Sequence, residues 1–252
     1  MQDMSHATVE ISDMETRKVT TRDICPSCGH VSVSTLDIPA WFVDFPEETH
    51  ALCDSCRAKE NRREQEEYHL RRVNLLMQEA KIPKKFLEWN SEIGNVELAH
   101  AIWHRRNNCI FVSGFYSCGK TRAIVRNLIE EIRKGKTCRF WRFPELAAKY
   151  AEVCKTDNNA QLWLKKQFSR DTVVIDDICK RRITDTAGEM LYDIVDWVYS
   201  GEISCKLWIT SNKSLADVAK FFQNADIGDA VISRIDRMAD EYDGRMKIIQ
   251  AK

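Results

Sequence analysis

The sequence has no apolar run long enough to span a membrane, and residues 1–22 are polar, without the apolar core of a signal peptide. It also has no net charge, because 38 Lys and Arg residues balance 38 Asp and Glu residues. A neutral molecule has no overall field that attracts nucleic acid, so any such binding requires a local basic patch. We therefore expect a soluble, cytoplasmic protein with no membrane partner and with locally built binding sites.

Ten cysteines raise the alternative of a secreted, disulfide-rich chain, but their distribution argues against it. Four of them form two C-x-x-C pairs, and the other six are scattered through apolar or loop segments. Disulfide scaffolds belong to oxidising compartments, whereas paired thiols in a reduced cytosol more often bind metal. We expect the cysteines to be reduced.

The two C-x-x-C pairs predict a metal site. The pairs, separated by 24 residues, are Cys25 with Cys28 and Cys53 with Cys56. Four thiolates in two close pairs suit tetrahedral Zn²⁺, and because they close its coordination shell the zinc would be structural. The gap is slightly longer than usual, which keeps His30 and His50 as alternative ligands and disulfides or free thiols as alternatives to zinc.

Composition divides the chain into four predicted parts. These are a poorly ordered tail (1–22), a zinc-binding module (23–58), a charge-rich helical linker (59–82) and a larger domain (83–252). The runs Val31–Ser34 and Trp41–Val43 predict the short strands of a zinc ribbon. Such a module either contacts nucleic acid or protein, or is purely structural. Pro83 breaks the linker helix and places the domain boundary nearby.

A glycine-rich stretch joins an apolar strand at 109–112 to an amphipathic helix. It consists of Gly114, Phe115, Tyr116, Ser117, Cys118, Gly119, Lys120 and Thr121. Its two glycines let consecutive N–H groups point into one concavity at the positive end of the following helix, where phosphate oxygens bind. Lys120 would reach the β- and γ-phosphates, and the Thr121 hydroxyl would bind Mg²⁺. A chance match in a surface turn is the alternative, which the strand and helix on either side disfavour.

Two carboxylates follow a second apolar run, Val173–Ile175. An all-apolar run is typical of a strand buried in a parallel sheet, whose carboxyl end is where such sheets bind ligands. Asp176 would hold Mg²⁺ through water, and Asp177 would orient the attacking water. A turn that happens to carry two aspartates is the alternative. Asn212, at the end of another apolar run, is a candidate to hydrogen-bond the γ-phosphate or its water.

Strand and helix patterns alternate from about residue 97 to the end of the chain. This alternation predicts an α/β fold with a parallel sheet and helices on both faces. An amphipathic helix carrying Arg234 and Arg237 and a last short strand at 246–249 complete the pattern.

The order of these motifs resembles the DnaC/IstB family of AAA+ ATPases, and particularly the phage-type helicase loaders with an N-terminal zinc module. The resemblance covers residues 80–252 well and the zinc module more loosely. It implies a P-loop AAA+ fold without a lid domain, in which Lys120 belongs to the Walker A loop, Asp176 and Asp177 to Walker B, and Asn212 to sensor 1. Arg234 falls where an arginine finger reaches a neighbouring subunit's nucleotide, with Arg237 as the alternative.

The resemblance also implies activity and partners. ATP hydrolysis coupled to homo-oligomerisation would need ATP and Mg²⁺, and the partners would be a replicative helicase and single-stranded DNA. Loaders grip DNA with a helix after the second strand. The candidate DNA contacts in this sequence are Lys149, Lys155, Lys180, Arg181 and Arg182. The family's arginine on the helix before sensor 1 is absent, because Trp197, Val198 and Tyr199 stand there.

Three functions fit these features. The leading hypothesis is an ATP-dependent loader that delivers a replicative helicase onto single-stranded DNA. A transposition helper ATPase has the same motifs but acts on duplex DNA. A nucleotide-dependent clamp or adaptor would bind ATP with negligible turnover.

Overall fold

The computed structural model describes residues 16–40, 46–88, 95–156, 159–239 and 246–251. The chain forms two compact units. The first ends at Tyr68 and the second begins at His69. Residues 1–15 of the predicted tail and the predicted strand Trp41–Val43 lie outside the described residues.

The first unit is built on a three-stranded sheet of order β2-β1-β3. The antiparallel strands β1 (Thr16–Ile24) and β2 (Val31–Pro39) pair along their whole length, and β3 (Glu48–Thr49) is parallel to β1. The expectation of a poorly ordered tail is therefore wrong for residues 16–22. Backbone ladder bonds pair this segment with β2, and such bonds do not require the large apolar side chains that it lacks.

The long helix α1 (Asp54–Ala80) begins in the first unit and ends in the second. The sequence predicts a linker over residues 59–82, and this prediction fits only the first part of the helix. Leu76 and Ala80 are buried with Ile82 and Phe86 in the core of the second unit. The end of the helix therefore belongs to the second unit, and the boundary lies before Pro83, because burial of these apolar side chains ties them to that core.

The second unit contains a five-stranded, wholly parallel sheet of order β5-β6-β7-β4-β8. Its strands are β4 (Cys109–Gly114), β5 (Cys138–Arg142), β6 (Thr172–Asp176), β7 (Lys206–Ser211) and β8 (Met246–Ala251). Its helices after α1 are α2 (Lys84–Leu87), α3 (Val96–Arg105), α4 (Lys120–Arg133), α5 (Phe143–Thr156), α6 (Ala160–Phe168), α7 (Asp185–Ser200), α8 (Leu215–Val218) and α9 (Ala225–Ala239). The α/β prediction is confirmed.

Alternating side chains of the central strands supply two separate cores, one on each face of the sheet. Ile110, Val174 and Trp208 pack with the end of α1 and with α2, α3 and α4. Phe111 and Ile209 face the other way, towards α5, α6, α7 and α9. A parallel sheet with both faces covered needs strands that are apolar throughout, which explains the continuous apolar runs in the sequence. None of the helices in the described part of the chain is long and apolar enough to cross a membrane.

The strand order determines where a ligand can bind. β4 lies between β7 and β8, while the chain leaves β4 through α4 to reach β5 at the far edge. The carboxyl ends of β4, β6 and β7 therefore meet at one edge of the sheet, at a point where the strand order changes direction. Such points are the usual ligand sites of open α/β sheets.

Candidate functional site

The glycine-rich stretch forms the predicted strand, loop and helix. β4 ends at Gly114, α4 begins at Lys120, and Gly119 precedes the helix with a left-handed φ of 89°. Ser117 also has a positive φ of 64°, which is uncommon for a residue with a side chain. The loop thus curls above the N-terminus of α4, where backbone N–H groups without partners in the helix favour an anion.

Lys120 is buried inside this loop. Its ammonium donates to the backbone oxygens of Gly114 at 2.9 Å and Phe115 at 2.7 Å, and lies 3.5 Å from the sulfur of Cys118. The positive charge is thereby held in the concavity of the loop. Phosphate oxygens are stronger partners for an ammonium than neutral carbonyls, so a bound nucleotide can replace these contacts.

Asp176, at the end of β6, is buried and is joined to the loop. Its Oδ1 accepts a hydrogen bond from the Thr121 hydroxyl at 2.8 Å and a second one from the Thr210 hydroxyl at 2.7 Å. Burial raises the pKa of the Asp176 carboxyl, while these two hydrogen bonds act to lower it. The distances bring together the two predicted magnesium ligands, Thr121 and Asp176.

Asp177 directs its carboxylate into the same cleft from a strained backbone. Its φ is 66°, and its N–H donates to the Thr210 hydroxyl at 2.8 Å. The Asn212 amide donates to Oδ1 of Asp177, and the Lys180 ammonium lies 3.9 Å from Oδ2. A left-handed conformation at a residue with a side chain is costly, and strain of this kind is often found at functional sites.

The structure brings Lys120, Asp177 and Asn212 together in one cleft of about 800 Å³. The buried Asp176 is not among its lining residues, but it is bonded to Thr121 and Thr210, which are. The residues lining the cleft are Asn95, Tyr116, Ser117, Cys118, Gly119, Lys120, Thr121, Arg122, Asp177, Thr210 and Asn212. The cleft is of the size that binds small-molecule cofactors. Cations, hydroxyls and a carboxylate converge there, as a site for a nucleoside triphosphate requires.

Sequence reasoning missed three residues of this cleft: Asn95, Arg122 and Thr210. Thr210 links the ends of β6 and β7 through its bonds to both aspartates, and Asn95 donates to the backbone oxygen of Cys118 at 3.3 Å. Asn95 also accepts a bond from the N–H of Leu98 and so caps α3. A capping signal could have found Asn95. The only sequence signal for Thr210 was its position among the polar residues at the end of a strand, near Asn212.

The predicted arginine finger lies outside the residues that line the cleft. Arg234, on α9, donates to the carboxylate of Asp196 and the hydroxyl of Tyr192 on α7, and its guanidinium lies 4.2 Å from the centre of the Tyr192 ring. Arg237 is exposed. Within one chain, neither arginine is among the residues around the candidate nucleotide cleft.

The predicted DNA contacts occupy two places. Lys149 and Lys155 are exposed on α5, where Lys149 pairs with Glu152 at 2.7 Å. The other three, Lys180, Arg181 and Arg182, are exposed in the loop that follows Asp177. Only the second group lies beside the cleft.

The four paired cysteines of the first unit converge. The sulfur atoms of Cys25, Cys28, Cys53 and Cys56 all lie within 4.8 Å of one another. None of the ten cysteines, all of which lie in the described residues, forms a disulfide, so the disulfide alternative is wrong. The metal-type cluster in the described residues contains neither His30 nor His50.

The cysteine cluster fits a zinc ion. Tetrahedral zinc with Zn–S bonds of about 2.3 Å places sulfurs about 3.8 Å apart, and the sulfurs of Cys28 and Cys53 are separated by 3.7 Å. Hydrogen bonding with the backbone at Cys53 lowers the pKa of the Cys25 thiol to about 6. A backbone hydrogen bond at His30 acts to lower the pKa of the Cys28 thiol, but the neighbouring cysteines raise it to about 12. Gly29, with a φ of 72°, completes the tight turn between β1 and β2 that carries the first pair.

Together, the five-stranded parallel sheet, the cleft lined by the loop, Asp177 and Asn212, and the buried Asp176 bonded to Thr121 define a P-loop nucleotide-binding protein of the AAA+ class. The family model for "IstB-like ATP binding protein" matches residues 59–243, well over half of the chain. The chain belongs to this DnaC/IstB-like family of AAA+ ATPases. Most of the first unit, including all four clustered cysteines, lies outside the matched range.

No curated protein matches the sequence. Among solved structures, the chain is similar to the DnaC helicase loader, with 19% identity, a TM-score of 0.49, and coverage of 62% of this chain and 88% of that chain. It is similar to DnaI, with 13% identity, a TM-score of 0.49, and coverage of 68% and 95% respectively. A third similar structure is AMPPCP-bound DnaA from Aquifex aeolicus, with 16% identity, a TM-score of 0.46, and coverage of 62% and 44%.

Proposed function

We propose that the protein hydrolyses ATP to ADP and phosphate, and that this cycle drives the delivery of a replicative helicase onto single-stranded DNA. The observation that supports hydrolysis most directly is the arrangement of Lys120, Thr121, Asp177 and Asn212 around one cleft, with the buried Asp176 bonded to Thr121. These residues supply a phosphate-binding cation, oxygen ligands for a metal, and a carboxylate held in place beside them.

Each side chain has a separate role in the proposed reaction. Lys120 binds oxygens of the β- and γ-phosphates. Asp177 accepts a hydrogen bond from the attacking water and orients it towards the γ-phosphorus, where the bond to the bridging oxygen breaks. Asn212 holds Asp177 in place through its amide hydrogen bond to Oδ1. Thr210 fixes the distance between the two aspartates, because its hydroxyl donates to Asp176 and accepts from the N–H of Asp177.

Magnesium fits this site. Thr121 and Asp176 present oxygen ligands of the kind that Mg²⁺ prefers, and their oxygens are 2.8 Å apart. When bound, the ion would neutralise charge on the phosphates. Structural zinc would be held by Cys25, Cys28, Cys53 and Cys56 of the first unit.

The arginine finger requires a second copy of the chain. Neither Arg234 nor Arg237 lines the cleft of its own subunit, so either one would act on the nucleotide of a neighbour in an ATP-dependent homo-oligomer. Contacts from Asp196 and Tyr192 hold Arg234 against α7, whereas Arg237 is exposed. We leave both as candidates for the finger.

The loader role is supported by the combination of modules. A four-cysteine cluster precedes the ATPase unit, and the motifs of that unit resemble those of phage-type loaders. The module would contact the helicase or the DNA, and α5 with the basic loop after Asp177 would contact single-stranded DNA. The second candidate is a transposition helper that acts on duplex DNA, which the match to the IstB-like family model favours.

Steady-state ATP hydrolysis by purified variants tests the proposed reaction. We expect Lys120→Ala to abolish nucleotide binding, and Asp177→Asn to bind ATP normally but turn over about a hundredfold more slowly, since a catalytic carboxylate contributes about 10²- to 10⁴-fold. Binding of a fluorescent ATP analogue separates the two effects. An Asp177→Asn rate equal to the wild type would contradict hydrolysis at this carboxylate and favour the adaptor hypothesis.

Helicase delivery is tested by strand unwinding from a closed single-stranded circle. The loader proposal predicts that added protein and ATP increase unwinding by a replicative helicase, and that Cys53→Ser reduces this increase while ATP hydrolysis persists. Full stimulation by Cys53→Ser would show that the zinc module has no part in delivery.

A further inference from the structure

The two carboxylate oxygens of Asp177 have different partners. Oδ1 accepts the amide hydrogen of Asn212, whereas Oδ2 lies 3.9 Å from the ammonium of Lys180. Asn212 belongs to the cleft and its amide is neutral. Lys180 brings a positive charge to the oxygen that would otherwise be available to orient water.

Lys180 stands in a loop that is anchored at both ends. Ile178 and Ile183 are buried, and the N–H of Ile178 donates to the backbone oxygen of Thr210 at 3.1 Å. Ile183 is bonded through its N–H to Phe221 and through its oxygen to Gln223, each at 2.8 Å. These anchors fix where the loop between them presents its side chains.

Three consecutive cations occupy the exposed part of this loop. Lys180, Arg181 and Arg182 all face solvent, and in the part of the chain that the structure describes, the ion pair of this group is the one between Lys180 and Asp177. Three adjacent cations on an anchored loop suit the closely spaced charges of a phosphodiester backbone. The basic loop therefore contacts Asp177 through Lys180, and the exposed face of the loop suits binding to nucleic acid.

We propose that Lys180 alternates between Asp177 and a phosphate of single-stranded DNA, so that DNA bound to the basic loop releases the Asp177 carboxylate and accelerates hydrolysis. This inference rests on the proposed ATPase function and adds its regulation. In the DNA-free protein, the ammonium lowers the ability of Oδ2 to accept a hydrogen bond from water. A DNA phosphate competes for the same ammonium. The freed Asp177 carboxylate can then accept a hydrogen bond from the attacking water and orient it.

The geometry also sets the size of the effect. The Lys180 side chain is 46% exposed and Asp177 is 22% exposed, so solvent screens the pair. Exposed ion pairs of this kind shift an equilibrium by a factor of about two to five. Release of Asp177 is therefore expected to change the rate by a similar factor, which is modest but measurable.

The test compares ATP hydrolysis by Lys180→Gln with that of a matched control, Lys220→Gln. Lys220 pairs with Asp217 at 2.7 Å with the same three-residue spacing, and neither residue is among those lining the cleft. Both variants lose one exposed lysine and one ion pair. Lys180→Arg, which keeps the charge, is the conservative variant.

We expect Lys180→Gln to hydrolyse ATP without DNA about two to five times faster than the wild type, and to gain less from single-stranded DNA. Lys220→Gln should hydrolyse ATP at the wild-type basal rate. Lys180→Arg, which keeps the charge, should retain the low basal rate of the wild type. A basal rate of Lys180→Gln equal to or below that of Lys220→Gln would overturn the proposal. Stimulation of the wild type by duplex alone would overturn its assignment to single strands.

A binding measurement provides a readout that does not depend on hydrolysis. Fluorescence anisotropy of a labelled single-stranded oligonucleotide is measured over a range of salt concentrations, and Lys180→Gln should flatten the plot of log K against log salt by about one contact, a slope change of roughly 0.7. An unchanged slope would show that Lys180 does not reach a phosphate. If wild type and Lys120→Ala hydrolyse ATP equally, the ATPase function itself fails, which separates that failure from failure of the Lys180 inference.

Discussion

The two units of the molecule are stabilised in different ways. In the described residues of the first unit, the buried side chains are Thr21, Cys25 and Ile38, and β2 leaves Val31 and Val33 exposed. The second unit buries large side chains on both faces of a parallel sheet. A segment with so little apolar burial needs another source of stability, and four converging sulfurs offer one in zinc.

This contrast also separates the sources of function. The family model covers most of the second unit and leaves the cysteine cluster outside its range. The nucleotide site is assembled entirely from residues of the second unit. The comparison therefore predicts that metal affects the first unit and nucleotide the second, and each of the following experiments challenges that separation.

Removal of zinc should have the largest effect. Structural zinc contributes on the order of 10 kcal/mol to the folding of small domains, so a strong chelator or Cys25→Ser should abolish hydrogen-exchange protection in β1 and β2. Nucleotide affinity of the second unit should change little. The control is Cys154→Ser, which removes an exposed thiol of α5 outside the cluster. Retained protection in β1 after chelation would contradict a zinc-dependent first unit.

Gly114→Ala should disrupt the second unit alone. A Cβ at this position would lie 2.6 Å from the backbone oxygen of Ala251 on β8, which is too close for any real contact. We expect a loss of about 2–4 kcal/mol in unfolding free energy, from displaced strands and strain. In denaturant titrations, Gly201→Ala is the control: it shares the positive φ but has no atom within 4 Å, so its loss should be about 1 kcal/mol. Equal losses would refute the steric explanation.

The smallest predicted effect concerns a buried charge. Burial alone would raise the pKa of the Glu131 carboxyl, but Lys206 at 2.7 Å and Lys134 at 3.3 Å hold it below its ordinary value. Because the folded pKa is depressed, the contribution to stability is fully present above the unfolded pKa of about 4.3 and is lost as the pH falls through the folded value.

Glu131→Gln should therefore cost about 2 kcal/mol of unfolding free energy at pH 7, and this difference from the wild type should shrink as the pH falls below 4. Glu130→Gln is the control, since its exposed pair with Arg133 should contribute less than about 1 kcal/mol. A Glu131→Gln deficit that stayed constant down to pH 3 would contradict the depressed pKa.

The nucleotide loop and the carboxylate strand could be predicted from sequence because their signals are local. Two glycines before Lys120 and an apolar run before Asp176 each define their own conformation. Thr210 could not be predicted, because its role arises only when β7 lies beside β6. Partners of Lys180 and Arg234 likewise depend on loop conformation and helix packing, which no local spacing specifies.

The boundaries that sequence reasoning misplaced have a related cause. The segment Thr16–Ile24 has few large apolar residues, so composition alone indicates no strand, although backbone pairing with β2 forms one. α1 is one continuous charge-rich helix, and its division between two units follows from burial of Leu76 and Ala80 rather than from any break in the pattern.

The most direct test of the central proposal is the rate of ATP hydrolysis by the full chain alone, with single-stranded DNA and with duplex DNA, against Lys120→Ala as the blank. The loader proposal predicts hydrolysis that single strands stimulate and that the blank lacks. Stimulation by duplex DNA alone would contradict it and favour the transposition helper. Rates equal to the blank under all three conditions would contradict ATPase activity of the isolated protein.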